Sequence, residues 1–170
     1  MNNYIAYLVH HYNDLYKNID AKIIGIFDSV ESAGHGIEEA VKLKGFQKLP
    51  DNFNTTMFVL NRTHWQDGFE TTADFPNSLV NDVISEEDLP IRFLKVKEVY
   101  CLTHFYDVED DEEIRYIGIY TTNERAEEVL SELKLKPGFA EHPEDFNIDR
   151  FTLNEREWKE GFISWEEAME

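Results

Sequence analysis

One cysteine, Cys101, stands in 170 residues, so no disulfide can form within the chain, as suits a reducing cytosol. No run of about 18 apolar residues occurs, which argues against a membrane-spanning helix. The first residues, MNNYIAYLVHHYND, lack a basic region, a long apolar segment and a small-residue cleavage site. No signal peptide is therefore expected, and the expected location is the cytoplasm. Positive charge is scarce: 16 Lys and Arg face 35 Asp and Glu, a net charge of −19. Such a surface repels nucleic acid and anionic lipid and attracts cationic partners. What the chain does have is apolar material, 42% hydrophobic and 14% aromatic residues, enough for a packed core.

The sequence is written twice. A shift of 93 positions aligns residues 7–71 with 100–164 without a gap. YLVHHYND meets YCLTHFYD, KIIGIF meets RYIGIY, and NRTHWQDGF meets NEREWKEGF. Identical pairs include Tyr7/Tyr100, His11/His104, Gly25/Gly118, Gly45/Gly138, Trp65/Trp158 and Phe69/Phe162. A repeat of this length is an internal duplication. It divides the chain into a first unit at 1–71, a connector at 72–98 and a second unit at 99–170. In the connector, Leu79, Val80, Val83 and Ile84 form an apolar patch on an expected helix beginning after Asn77. The lack of a Gly/Ser run there implies that the units dock.

Each unit reads as strand, strand, helix, strand, strand. Segments 4–12 and 97–105 are rich in aromatic and β-branched residues, and 22–27 and 115–120 are short apolar strands. Ala126, Val129, Leu130 and Leu133 follow i, i+3, i+4, i+7, one apolar helical stripe. TTNE at 121–124 predicts a capping box led by Thr121, with DSVE at 28–31 as its counterpart. Gly45 and Gly138 are expected to end the helices in left-handed geometry. Third strands follow at about 54–60 and 147–153. Asn61 and Asn154 are expected to cap a single helical turn, with Trp65 and Trp158 folding back onto the sheet. Gly68 and Gly161 then reverse the chain into last strands starting at Phe69 and Phe162. The expected fold class is α+β, a tandem of ββαββ units, each with one helix packed on an antiparallel sheet.

The second unit resembles an uncharacterised bacterial domain family. The resemblance rests on VYCLTHFYD, EDDEE, IGIY, KPGF and WKEGF, and covers most of 99–164. The first unit is a drifted version, with Lys44 in place of Pro137 and with Gly34 and Gly36 inside its helix. The resemblance implies no established activity and hence no catalytic residues. Small acidic proteins of this kind are similar in style to bacterial immunity proteins.

The repeat also serves as an internal control on chemistry. Cys101 aligns with Leu8, so it reads as a small hydrophobe. No nucleophile elbow, phosphate loop or dinucleotide fingerprint is present. His10 and His11 are adjacent on a strand and point to opposite faces. His11 and His104 are the repeated pair. They are either structural residues at strand ends or a site where the two units meet across a pseudo-two-fold axis. His35, His64 and His142 align with Glu128, Glu157 and Leu49 and read as surface variation. The run at 107–113 lacks the Gly and the terminal Glu of a calcium loop, so neither metal nor cofactor is expected.

Charge is divided unequally. Residues 1–71 hold 9 acids and 6 Lys/Arg, net −3, while residues 72–170 hold 26 acids and 10 Lys/Arg, net −16. The expected function is therefore non-enzymatic binding of a basic protein, such as an immunity protein neutralising a basic nuclease toxin. The expected contact residues are Asp107, Glu109, Asp110, Asp111, Glu112 and Glu113, in an acidic hairpin loop. Solubility alone is the competing account of the acidity. Two other functions remain open at this stage: a small-molecule-binding or enzymatic cleft between the units, and an acidic mimic of nucleic acid.

Overall fold

The computed structural model describes residues 3–13, 20–65, 89–108 and 111–158. Strands β1 (Tyr4–Asn13) and β2 (Asp20–Phe27) form a hairpin, helix α1 (Val30–Val41) follows, and β3 (Phe53–Val59) returns to the other side of β1. Strands β5 (Glu98–Val108) and β6 (Asp111–Tyr120), helix α2 (Asn123–Leu133) and β7 (Phe146–Thr152) repeat the pattern. In both sheets these three strands run antiparallel with the first strand central, in the orders β2-β1-β3 and β6-β5-β7. The fold is α+β and is built from two similar units. Even the irregularities match: each hairpin shifts register once, between Val9 and His10 and, 93 residues on, between Leu102 and Thr103. Expected last strands at Phe69 and Phe162, and the connector helix after Asn77, lie outside the described residues.

Period-2 alternation explains the layering. From β1, Ala6 and Leu8 enter one core while Val9 enters another. Their counterparts Val99 and Cys101 join Ala6 and Leu8, while Leu102 goes elsewhere. The result is one shared core between the two sheets, with Ile26, Phe58, Ile119 and Phe151 completing it. Each outer face is covered by its own helix. Ala33 and Ala40 of α1 pack over Val9, Ile24 and Phe27. Ala126, Val129 and Leu133 of α2 pack over Leu102, Ile117 and Tyr120 as the helical stripe requires. Strand β4 (Leu89–Pro90) runs parallel to the start of β1, and the 3-10 turn after it drops Ile91, fully buried, into the shared core.

Three local expectations are corrected. The helix N-caps are Ser29 and Thr122, one residue later than Asp28 and Thr121. The Ser29 hydroxyl accepts from the Ser32 amide at 3.1 Å and that of Thr122 from the Arg125 amide at 3.2 Å. Thr121 is otherwise engaged, as described next. The helices end at Val41 and Leu133, before Gly45 and Gly138, and of these glycines only Gly138 is left-handed, with φ 76°. Finally, no helical turn follows β3 or β7 at 61–65 or 154–158.

Instead, the Asn-to-Trp corner of each unit clasps the other unit. Asn61 and Asn154 are left-handed, φ 59° and 63°, a conformation Asn tolerates better than most residues with a Cβ. The Asn61 amide donates to Ile119 O at 2.8 Å, and its side-chain oxygen accepts from the Thr121 amide and hydroxyl at 3.0 and 3.1 Å. Reciprocally, the Asn154 amide donates to Ile26 O at 2.9 Å, and its side chain accepts from the Asp28 amide at 3.1 Å. The His64 amide bonds Ile117 O, and the Glu157 amide bonds Ile24 O. Each of the bonds donated by a backbone amide has its counterpart 93 residues away. Gly25 and Gly118 permit the approach, because a Cβ on either would lie under 3.0 Å from the backbone oxygen of Glu155 or Arg62. Trp65 and Trp158 accordingly fold onto the opposite unit, under Arg115 and Lys22, and not onto their own sheets.

Candidate functional site

His11 and His104 do not form a site between the units. Both are fully buried on the helix-facing side of their sheets. His11 Nε2 donates to Leu49 O at 2.8 Å between the rings of Phe46 and Phe53. His104 Nε2 donates to His142 O at 2.9 Å between Phe139 and Phe146. Burial holds both imidazoles below their ordinary pKa of 6.5, so they are neutral packing residues at neutral pH. His64 is likewise not surface variation: it is buried edge-on against Phe58. Cys101 lies in the shared core, where burial pushes its thiol up and keeps it protonated.

The acidic run is mostly strand and not loop. Residues 107 and 111–113 continue the β5–β6 ladder, with Asp107 opposite Glu112 and Val108 opposite Asp111. Glu109 and Asp110 lie outside the described residues. The pairing brings Asp107, Asp111, Glu112 and Glu113 to one end of one hairpin. Like charges placed opposite each other on paired strands disfavour that pairing. The ladder therefore runs on through this stretch without help from the like charges of Asp107 and Glu112.

A second feature was not anticipated at the level of residues. A cleft of about 380 Å³ opens between the units. Its apolar walls come from Ile23 of β2, Phe105 of β5, Ile114 and Tyr116 of β6 and Phe151 of β7. Thr103, 1% exposed, also lines it. Among the described residues, the buried Thr103 and Tyr116 hydroxyls have no hydrogen-bond partner. Burial pushes the Tyr116 phenol up, so its proton stays on. The rim carries Lys22 and Arg150 against Asp149 and Glu157. The Lys22 ammonium sits 3.9 Å above the Trp158 ring, and Arg150 lies 3.6 Å from Glu98. The one signal available in sequence was a mismatch between aligned positions, Thr103 against His10 and Ile23 against Tyr116.

Among the described residues, no group of three or more His, Cys, Asp or Glu is placed to hold a metal. Among them, too, no helix is long and apolar enough to cross a membrane. Comparison with known proteins matched no curated protein and no solved structure. It did match residues 97–162, nearly the whole second unit, to the family model of a domain of unknown function, DUF7336, so the second unit is similar to an uncharacterised domain.

Proposed function

We propose that this is a non-enzymatic cytoplasmic binding protein whose acidic second unit docks a basic protein, in the manner of an immunity protein that blocks a cationic toxin. One observation carries the reading: the two units share a scaffold and not a charge. Net −3 on the first side and −16 on the connector and second unit means that the acidity is not a requirement of the fold. The acidic run of Asp107, Glu109, Asp110, Asp111, Glu112 and Glu113 concentrates it in the sequence. A field of this sign steers a cationic partner and raises its association rate about 10–10³-fold at low salt. The matched register and the reciprocal clasp favour descent of both units from one duplicated domain, with charge acquired later on one side.

The test is kinetic. All six acids are changed to Asn or Gln, and association with the product of the neighbouring reading frame is followed at low and high salt. Folding should survive, because like-charge repulsion is relieved. Association at low salt should slow by about tenfold or more, and its salt dependence should flatten. Equal association rates for the variant and the native chain at low salt would remove the hairpin from the interface.

A further inference from the structure

Two departures between the units fall on the same hairpin. The first is the cleft. On one side of the pseudo-two-fold relation, His10 stacks on Tyr116 at 5.2 Å. The equivalent pair on the other side, 93 residues away in each case, is Thr103 and Ile23, both smaller and neither a ring. The opening of about 380 Å³ lies on that side. Its half-buried apolar walls are Ala21 and Ile23 of β2 with Phe105 of β5 and Ile114 of β6. Phe105 and Ile114 are directly opposite each other in the ladder. The second departure is the acidic run. Residues 107–113 hold six acids and no base, while the aligned residues 14–20 hold two acids and one Lys. Within the run, the Asp107–Glu112 pair is the second rung beyond Phe105 and Ile114. Rungs two apart share one face of a sheet and lie about 7 Å apart along the strands.

We infer that the cleft takes a large apolar side chain from an extended, basic segment of a protein partner, with a Lys or Arg two residues from that side chain. The inference rests on the reading of the second unit as a dock for a basic protein, and it adds where such a partner is anchored. The walls are apolar and half-buried, so a side chain such as Phe entering between them removes apolar surface from water on both sides. The rim offers an ion no net charge: Lys22 and Arg150 stand against Asp149 and Glu157, and Arg150 is also held 3.6 Å from Glu98. A charged side chain would lose hydration there without gaining a counter-charge, and an uncharged one avoids that cost. Positive charge is met instead two rungs along, by the acidic run. In an extended segment, residues i and i+2 share a face and stand about 7 Å apart, the spacing of the two rungs. An apolar pocket bordered by charge is the anatomy of a protein interface, in which a few anchors carry most of the affinity. Trp158, exposed at the edge of the cleft, adds contact area for the same segment.

The experiment titrates the full chain, with isoleucine methyl groups labelled for NMR, with four capped peptides: Lys-Ser-Phe-Ser-Lys, its Ala version Lys-Ser-Ala-Ser-Lys, its Glu version Glu-Ser-Phe-Ser-Glu, and the rearranged Ser-Lys-Phe-Lys-Ser. Saturable shifts are expected at Ile23 and Ile114. The first peptide should bind about tenfold tighter than the Ala version, the return on burying one ring. It should bind about fivefold tighter than the Glu version at low salt, a preference that fades at high salt. The rearranged peptide, with Lys beside Phe and not two residues away, should bind about twofold more weakly than the first. Ala21→Phe should fill the cleft and remove the preference for Phe over Ala. The six-acid variant should keep that preference and lose the preference for Lys over Glu. The peptide series on the native chain decides the inference without either variant. No saturable shift at Ile23 and Ile114, or equal binding of the Phe and Ala peptides, would overturn the anchor. Equal binding of the Lys and Glu peptides, or of the first and rearranged peptides, would overturn its link to the acidic run. The kinetic test of the hairpin reads charge alone, so it passes or fails separately.

Discussion

The two units have the same strand order, the same register shift and the same clasp, yet they differ in charge and in how tightly they meet. Conserved and divergent features fall in different places. What the units share is backbone-level: Gly25 and Gly118, Asn61 and Asn154, and the amides that bond across the interface. What differs is side-chain-level: the acids at the β5–β6 end, and the pairs His10/Tyr116 and Ile23/Thr103. Backbone contacts between sheets leave little tolerance, since an added carbon must displace a carbonyl. Side chains at the end of a hairpin, or along the edge of an interface, can change without unfolding the chain. The places where one unit departs from the other are therefore where function is best sought.

The largest effect is expected where the clasp leaves no room. Gly118→Val and Gly25→Val should each destabilise the protein by about 3 kcal/mol, because the new side chain meets the opposite unit's backbone. Denaturant unfolding should give similar losses for both, and a loss at one alone would break the reciprocity. The tryptophans should separate the units. Trp65 is half-buried and packs against the core of α2, so Trp65→Ala should cost about 3 kcal/mol. Trp158 is more exposed, at 41%, and its replacement by Ala should cost about half as much. Equal melting-temperature shifts would show that the corner is energetically symmetric after all.

Acid should weaken the first unit more. Burial first, and the neighbouring His11 second, hold His10 below the ordinary 6.5, and Thr103 occupies its place in the second unit. A histidine whose pKa is lowered on folding takes up protons preferentially in the unfolded chain. Its contribution is therefore full above about pH 6.5 and is lost as pH falls below that value. Unfolding free energies at pH 7.5 and 5.5 should show the loss, and His10→Thr should reduce the slope. A slope unchanged by His10→Thr would show that His10 contributes nothing to the acid sensitivity. The smallest effect lies in the helices. Gly34 has open space around its Cα, and Glu127 stands at the equivalent place. Gly34→Ala should stabilise by about 0.5–1 kcal/mol. Gly36→Ala should not, because its Cβ would meet the Phe27 ring.

Alternation and helical spacing made β1, β2, β5, β6, α2 and the buried role of Cys101 legible in the sequence, because each depends on near neighbours along the chain or on the aligned copy. The acidic hairpin was legible as a charge cluster, though not as paired strand, since β propensity gives no reason to extend a ladder through Asp and Glu. The capping positions were off by one residue for a reason no local pattern carries: the Thr121 amide and hydroxyl are taken by Asn61, 60 residues earlier. The same holds for the repeated Asn and Trp. Their spacing announced a corner. Only the packing of one sheet on the other decided that each corner closes on the opposite unit, and that Thr103, Ile23 and Tyr116 meet around a cleft. Those contacts join residues dozens of positions apart, and they exist because burying the inner faces of both sheets in one core sets the distance at which the two backbones touch.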